Sequence, residues 1–320
     1  MQQILLVTFP FFALVLCGYV AARRRLLPIE AIPGLNVFVL FFALPCMLYR
    51  FGAATPIEKL LDFGAFFVYL LCAFVMVALT VLTTRKGAIG WNDASFGALV
   101  AAFPNSGFMG MPLLVSLLGQ RAAGPAIVPL AVDMVVTSSL CIALSRKNEA
   151  GSSGAAWAAL KALRGVLYNP LPWAITLGGL ASFYEFALYR PLMRVVEMLS
   201  DSGSPTALFT IGAVLARSSM RTQEGSAGRR WGDVPQIVAY KLFLHPLLVL
   251  GAGTLAIAAG VPLDPFSLTV LVLVAALPSA SNVPMLAERF SADTGRIARV
   301  VLVTTALAFL TFSSAVALLV

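Results

Sequence analysis

Two proline-bracketed segments carry small polar residues that could bind a solute. The first reads AAFPNSGFMGMPLL over residues 101–114, and the second reads AALPSASNVPML over residues 275–286. A proline removes one intrahelical hydrogen bond, so the backbone opens there and leaves N–H groups without helical partners. Free N–H groups at the start of a helix favour a carboxylate or another anion. The candidate binding residues are Asn105, Ser106, Gly107, Ser279, Ser281 and Asn282, and the flanking prolines are Pro104, Pro112, Pro278 and Pro284.

Three ionisable residues fall within apolar runs and are candidates for coupling to H+ or Na+. Asp133 stands near the middle of its run, where an ionised carboxylate costs at least about 2.5 kcal/mol on insertion scales. Lys241 and His245 are four residues apart, hence on one helix face. A structural role is the alternative for each: Asp133 as partner of a buried donor, Lys241 snorkelling to the interface, and His245 as a hydrogen-bonded core residue.

The elements that hold these residues must be membrane helices. The chain of 320 residues is 60% apolar and 11% charged, whereas soluble domains carry about 25% charged residues. The apolar residues come in runs of about 20, the length of a transmembrane helix. We predict an all-α integral membrane fold of about ten helices, at residues 3–22, 32–51, 63–84, 94–118, 125–145, 169–188, 203–220, 234–259, 266–287 and 298–319.

Composition also excludes several functions. The chain has one His and four Cys, with no C-x-x-C pair, no H-E-x-x-H and no G-x-S-x-G, so we predict neither an enzyme nor a metal site. It has no G-x-x-x-x-G-K-[ST] loop that would bind ATP phosphates, and we expect no cofactor. The net charge of +8 is confined to short loops, which argues against nucleic acid as a partner.

The distribution of positive charge predicts the orientation. Most of the 22 Lys and Arg residues fall in the loops after odd-numbered helices, which are therefore cytoplasmic. Both termini then lie outside a bacterial inner membrane that the chain crosses many times. The longest inside loop, 146–168, is predicted to be a cytoplasmic linker with a short interfacial helix.

That linker divides the chain into two five-helix repeats, 1–145 and 169–320. The two proline-bracketed segments occupy the fourth helix of each repeat, as expected after a duplication. Because five is odd, the second repeat must enter the membrane inverted. We therefore predict that helices four and nine, both broken by proline, cross at the midplane around the binding residues. Two independent packing kinks are the alternative.

These segments, FPNSGFMGMPLL and ALPSASNVPMLAERF, resemble those of the auxin efflux carrier family, and the similarity continues through residues 205–209 and 299–311. The family includes plant PIN-formed carriers and bacterial malonate-type permeases. The resemblance implies a ten-helix, five-plus-five fold with proline crossovers, and it carries the family's crossover residues onto Asn105 and the four prolines. The six-residue spacing from Pro278 to Pro284 and the short central loop make a bacterial, malonate-permease-like member the closer match.

The expected function is secondary transport of small organic anions, either auxin-like acids or mono- and dicarboxylates, by alternating access. The alternatives are a carrier coupled to Na+ that resembles bile-acid symporters, and an anion channel. The expected partners are the anion and the lipid bilayer, with a homodimer as one possible assembly.

Overall fold

The computed structural model describes residues 2–56, 62–87, 89–147, 170–225 and 232–320. Within these ranges every regular element is a helix, apart from one isolated β-bridge between Pro104 and Ser279. In chain order the helices are α1 (Gln2–Arg23), α2 (Ile29–Ala54), α3 (Phe63–Thr84), α4 (Trp91–Ala102), α5 (Ser106–Leu118), α6 (Gln120–Ser145), α7 (Pro170–Phe183), α8 (Arg190–Gly225), α9 (Val234–Ala258), α10 (Pro265–Ala275), α11 (Val283–Arg289) and α12 (Thr294–Leu319).

Five of these helices, α2, α3, α6, α9 and α12, are long and apolar enough to cross a membrane by length and composition. Three shorter apolar stretches accompany them, at Thr8–Arg23, Ser106–Leu118 and Pro265–Ala275. The expectation of an all-helical membrane protein is confirmed at this level.

Side-chain caps fix several of the helix starts. Asp62 accepts a hydrogen bond from the Ala65 N–H at 2.9 Å at the start of α3, and Asp264 accepts one from the Ser267 N–H at 3.2 Å at the start of α10. A carboxylate at this position satisfies a free backbone donor and interacts favourably with the helix dipole. These two carboxylates therefore define where α3 and α10 begin.

The largest difference from the predicted boundaries concerns α8. This helix begins at Arg190, well before residue 203, and ends at Gly225. The residues added at its start mix charged and apolar side chains, so a search for uninterrupted apolar runs places them in a loop. Pro191 fits there because a proline in the first helical turn loses no hydrogen bond. α7, in contrast, ends at Phe183, before residue 188.

Glycines bring four helices into backbone contact. A Cβ atom on Gly18 of α1 would lie 1.8 Å from the carbonyl oxygen of Phe209 in α8, and one on Gly212 would lie 1.8 Å from that of Val15. A Cβ on Gly178 of α7 would similarly lie 2.6 Å from a carbonyl oxygen of α2. Small residues at helix contacts are how membrane helices approach closely without help from water. We call α1, α2, α7 and α8 the glycine-packed group.

The predicted linker at 146–168 falls almost entirely on residues outside the described ranges. Its interfacial helix and the division of the chain into 1–145 and 169–320 therefore stay predictions.

Candidate functional site

The two proline-bracketed segments interrupt their helices and lie against each other. α4 ends at Ala102 and α5 begins at Ser106, while α10 ends at Ala275 and α11 begins at Val283. The Asn105 N–H donates to the Pro278 carbonyl at 2.8 Å, and the Ala280 N–H donates to the Phe103 carbonyl at 2.9 Å. The two open segments thus satisfy each other's backbone groups, as buried polar backbone must. We call residues 103–106 and 276–282 the crossover.

Ser279 completes the crossover. Pro104 has no N–H to donate, so the carbonyl of Val100 loses the partner it would have in a continuous helix. The Ser279 hydroxyl donates to that carbonyl at 2.7 Å, and the Ser279 N–H is 3.3 Å from the hydroxyl oxygen of Thr304 in α12. Ser279 was predicted to bind the solute, but its hydroxyl proton is already used in holding the broken helix.

Lys241 replaces a hydrogen bond that is lost at the end of the other broken helix, α10. In a continuous helix the Ala275 carbonyl would accept from residue 279, whose N–H is directed elsewhere. The Lys241 ammonium instead donates to that carbonyl at 2.8 Å, and the whole side chain is buried. A positive charge at the carboxyl end of α10 also complements the helix dipole.

Other polar groups at the crossover have no partner among the residues that the structure describes. The Asn105 side-chain oxygen and the Ser106 hydroxyl are buried and accept or donate no hydrogen bond within the described part of the chain, although the residues are only 3% and 1% exposed. The same holds for the backbone N–H groups of Gly107 and Phe108 in the first turn of α5. Buried polar groups are rarely left this way, so these atoms are candidates for contact with a ligand or with water.

The remaining predicted residues lie at or beside the crossover. Gly107 and Ser281 are buried, and half-buried Asn282 begins α11, its carbonyl accepting from the Met285 and Leu286 N–H groups at 3.2 and 3.3 Å. Pro112 stands in the first turn of the straight part of α5, and Pro284 in the first turn of α11. The structure therefore brings all six predicted binding residues and the four prolines into one region.

The predicted coupling residue Asp133 is fully buried in α6. One of its carboxylate oxygens accepts from the Tyr69 hydroxyl of α3 at 2.8 Å, and the other accepts from the Thr137 hydroxyl at 2.9 Å. Residues 133–137 form a π-helical turn, a feature often found at functional sites. Sequence reasoning missed Tyr69, because nothing in an apolar run marks one tyrosine as the partner of a distant acid.

Lys241 and His245 form the other half of this buried cluster. The Lys241 ammonium is 3.1 Å from Nδ1 of His245, while Nε2 of His245 has no partner among the described residues. The His245 and Tyr69 rings are 5.8 Å apart between centroids, which links the pair to Asp133. Asp133 and Lys241 interact electrostatically without a direct ion pair in the described structure. Since Lys241 also holds the end of α10, the cluster is joined to the crossover.

A second buried charge network joins α4 to the starts of α9 and α12. Arg296, in the first turn of α12, pairs through two nitrogens with the carboxylate of Asp233 before α9, one bond measuring 2.7 Å. A third nitrogen donates to the Asp93 carbonyl of α4 at 2.7 Å, and the Asp93 carboxylate accepts from the Asp293 N–H at 2.7 Å. We call Asp93, Asp233, Asp293 and Arg296 the arginine network. It fixes the starts of α4, α9 and α12 relative to one another.

Comparison with known proteins places this architecture in a family. The family described as "Membrane transport protein" matches residues 4–315, so the chain belongs to that family, and the resemblance to auxin efflux carriers is confirmed. It is 28% identical over 314 residues to a Rhizobium meliloti (strain 1021) protein named "Putative malonate transporter", covering 97% of this chain and 94% of that protein.

Two further relatives extend the range of the family. The "Uncharacterized transporter YfdV" of Escherichia coli (strain K12) is 24% identical over 294 residues, covering 89% of this chain and 88% of that protein. "Auxin efflux carrier component 8" of Arabidopsis thaliana is 23% identical over 264 residues, covering 66% of this chain and 71% of that protein. The chain is therefore a membrane transport protein with bacterial and plant relatives.

Proposed function

We propose that this protein is a secondary transporter of small organic anions that binds its substrate at the crossover, near the membrane midplane. The observation that carries the proposal is a set of hydrogen-bond donors at the start of α5 without a partner among the described residues: the Ser106 hydroxyl and the N–H groups of Gly107 and Phe108. The side-chain amide of Asn105 lies beside them, and its NH2 group can donate as well. A carboxylate accepts several hydrogen bonds and is stabilised at a helix N-terminus. The relatives named for malonate and auxin support the same class, since both compounds are small carboxylic acids.

The fold we propose is a ten-helix membrane protein made of two inverted five-helix repeats. In this arrangement α4 with α5, and α10 with α11, are two membrane-crossing segments that are each broken once. The equivalent breaks, paired backbone to backbone, support the inversion. Both termini lie outside the bacterial inner membrane in this topology, which follows from the Lys and Arg distribution.

Alternating access follows from the packing. The glycine-packed group has backbone-to-backbone contacts that leave little room for movement, and we assign it the role of a fixed support. In this proposal α4, α9 and α12, which the arginine network ties together, would move as one body with the crossover and expose the site to each side in turn.

The binding proposal is tested by Asn105→Ala. We expect the affinity of the variant for malonate and for indole acetate to fall at least tenfold, which is a loss of about 1.4 kcal/mol in binding free energy. The reason is that the side-chain amide supplies hydrogen bonds that water then has to replace. The measurement is the rise in thermal unfolding temperature of the purified protein with each acid. Ser116→Ala is the matched control, since its exposed hydroxyl lies on the same helix and, among the described residues, bonds to the Pro112 carbonyl alone. Unchanged affinity in Asn105→Ala would place the site elsewhere.

Transport mode needs a separate measurement. A carrier gives saturable flux and counterflow in proteoliposomes, whereas ohmic single-channel currents would establish the channel alternative. A strict requirement for Na+ would favour the alternative that resembles bile-acid symporters.

We further propose that Asp133 couples transport to H+ or Na+, and that the charges of Lys241 and His245 influence whether Asp133 is ionised. Among the described residues, the Asp133 carboxylate is held by two hydroxyls and forms no direct ion pair, so it can exchange a proton or a cation without breaking one. Asp133→Asn keeps the size and hydrogen-bonding capacity of the side chain but cannot ionise, so accumulation should no longer depend on a pH or Na+ gradient. Asp62→Asn is the control, because Asn also caps helices well. Normal gradient-driven accumulation in Asp133→Asn would contradict the coupling role.

A further inference from the structure

Two positive side chains from different helices lie against one indole ring. The Arg85 guanidinium carbon is 4.4 Å from the centroid of the Trp91 ring, and the Lys147 ammonium is 4.3 Å from it. Arg85 directly follows α3, Lys147 lies just beyond the end of α6, and Trp91 is the first residue of α4. Three segments of the chain thus converge on one point at the end of the helices.

No acidic residue that the structure describes pairs with these two charges. Both side chains are exposed, and neither forms an ion pair or hydrogen bond with any residue that the structure describes. Each contact with the ring contributes only about 0.5–1 kcal/mol at an exposed position, and the two cations repel each other. Their N–H donors, together with neighbouring exposed Lys86, are therefore available to an anion.

The position of the site at the end of α3 points to one kind of anion. Arg85 ends a stripe of exposed residues on one face of α3 that includes Leu71, Val75 and Leu82, spaced by helical turns. A membrane-crossing helix presents such a face to lipid acyl chains, and tryptophan is typical of the level of the headgroups. A ligand with a phosphate at Arg85 and a hydrocarbon tail along α3 fits both features.

We propose that Arg85, Trp91 and Lys147 form a binding site for the phosphate of an anionic phospholipid, such as phosphatidylglycerol or cardiolipin. The lipid would hold the ends of α3 and α6 against the start of α4, the helix that leads into the crossover. A general excess of positive charge at this membrane surface accounts for the presence of the two cations, but it does not account for their meeting on one ring. Under the orientation proposed above, the lipid belongs to the cytoplasmic leaflet.

The experiment compares lipids added to the full chain in a neutral detergent. Phosphatidylglycerol should raise the thermal unfolding temperature by about 3 °C or more relative to phosphatidylcholine, because it binds the folded state. Native mass spectrometry should show the corresponding retained lipid. The double variant Arg85→Gln with Lys147→Gln should reduce the apparent affinity at least about tenfold, while its unfolding temperature in phosphatidylcholine stays close to that of the parent protein.

The matched control is Arg24→Gln with Arg289→Gln, which removes two exposed positive charges at other helix ends. It should keep the full effect of phosphatidylglycerol. Lys147→Gln alone serves if the double variant does not fold, and it should show part of the loss. Two results would overturn the proposal. One is that phosphatidylcholine, inorganic phosphate or glycerol phosphate at the same concentration stabilises the protein as much as phosphatidylglycerol does. The other is that phosphatidylglycerol stabilises the double variant as much as the parent protein.

Discussion

The arginine network and the crossover are both buried and polar, yet they differ in how completely their hydrogen bonds are made. Arg296 and Asp233 are each about nine-tenths buried and bonded through two pairs of atoms, with a further bond to the Asp93 carbonyl. At the crossover, Asn105 and Ser106 are buried as deeply but have polar atoms without any partner in the described residues.

We interpret this as the difference between a structural network and the proposed binding site. A fully bonded buried network makes one arrangement of its helices more stable than any other. Unpartnered buried groups lower stability, and a protein retains them where a ligand supplies the missing bonds. The same membrane protein thus holds its helices together at one place and leaves its bonding incomplete at another.

The largest expected effect on stability is that of Arg296→Met. The substitution leaves the Asp233 carboxylate buried without its partner, which costs about 3–5 kcal/mol. The measurement is the unfolding free energy in detergent, determined by denaturant titration. Anion affinity of the protein that remains folded should be unchanged, because Arg296 does not contact the crossover.

A double variant sharpens this test. Arg296→Met with Asp233→Leu removes both charges, so it should be more stable than Arg296→Met alone. Equal stability of the single and double variants would show that the ion pair is not the source of the effect.

Ser279→Ala should have an intermediate effect. It removes the hydroxyl that bonds to the Val100 carbonyl and leaves that oxygen without this donor, at a cost of about 1–3 kcal/mol. The unfolding free energy measures the loss. An unchanged value would mean that Ser279 does not stabilise the broken helix, and would return it to the set of anion-binding residues.

Ser106→Ala should have the smallest effect on stability. Its hydroxyl has no partner in the described structure, so its removal should leave the unfolding free energy unchanged or raise it by up to about 1 kcal/mol. Anion affinity should nevertheless fall several-fold in the thermal-shift assay. The opposite result, in which Ser106→Ala keeps its anion affinity and loses stability, would show that Ser106 stabilises the fold as we expect of Ser279.

Part of the fold and of the site was predictable because it depends on local sequence. The apolar runs predict membrane helices through the length needed to cross a bilayer, and Pro104 and Pro278 predict the helix breaks through a missing N–H. The predicted length of α8 was too short, because charged residues such as Arg190 and Arg194 interrupt its apolar pattern. Its start depends on packing, which hydropathy does not record.

The amino-acid sequence by itself determined the class of protein, the places where helices open, and the residues at the crossover, since composition and proline act within one segment. Only the tertiary structure decided which groups meet across segments: Tyr69 with Asp133, Lys241 with the Ala275 carbonyl, and Ser279 with the Val100 carbonyl. The physical reason is that a hydrogen bond between distant residues leaves no periodic trace along the chain. The last of these contacts shows that Ser279 holds the crossover together, whereas polar atoms of Asn105 and Ser106 have no partner among the described residues.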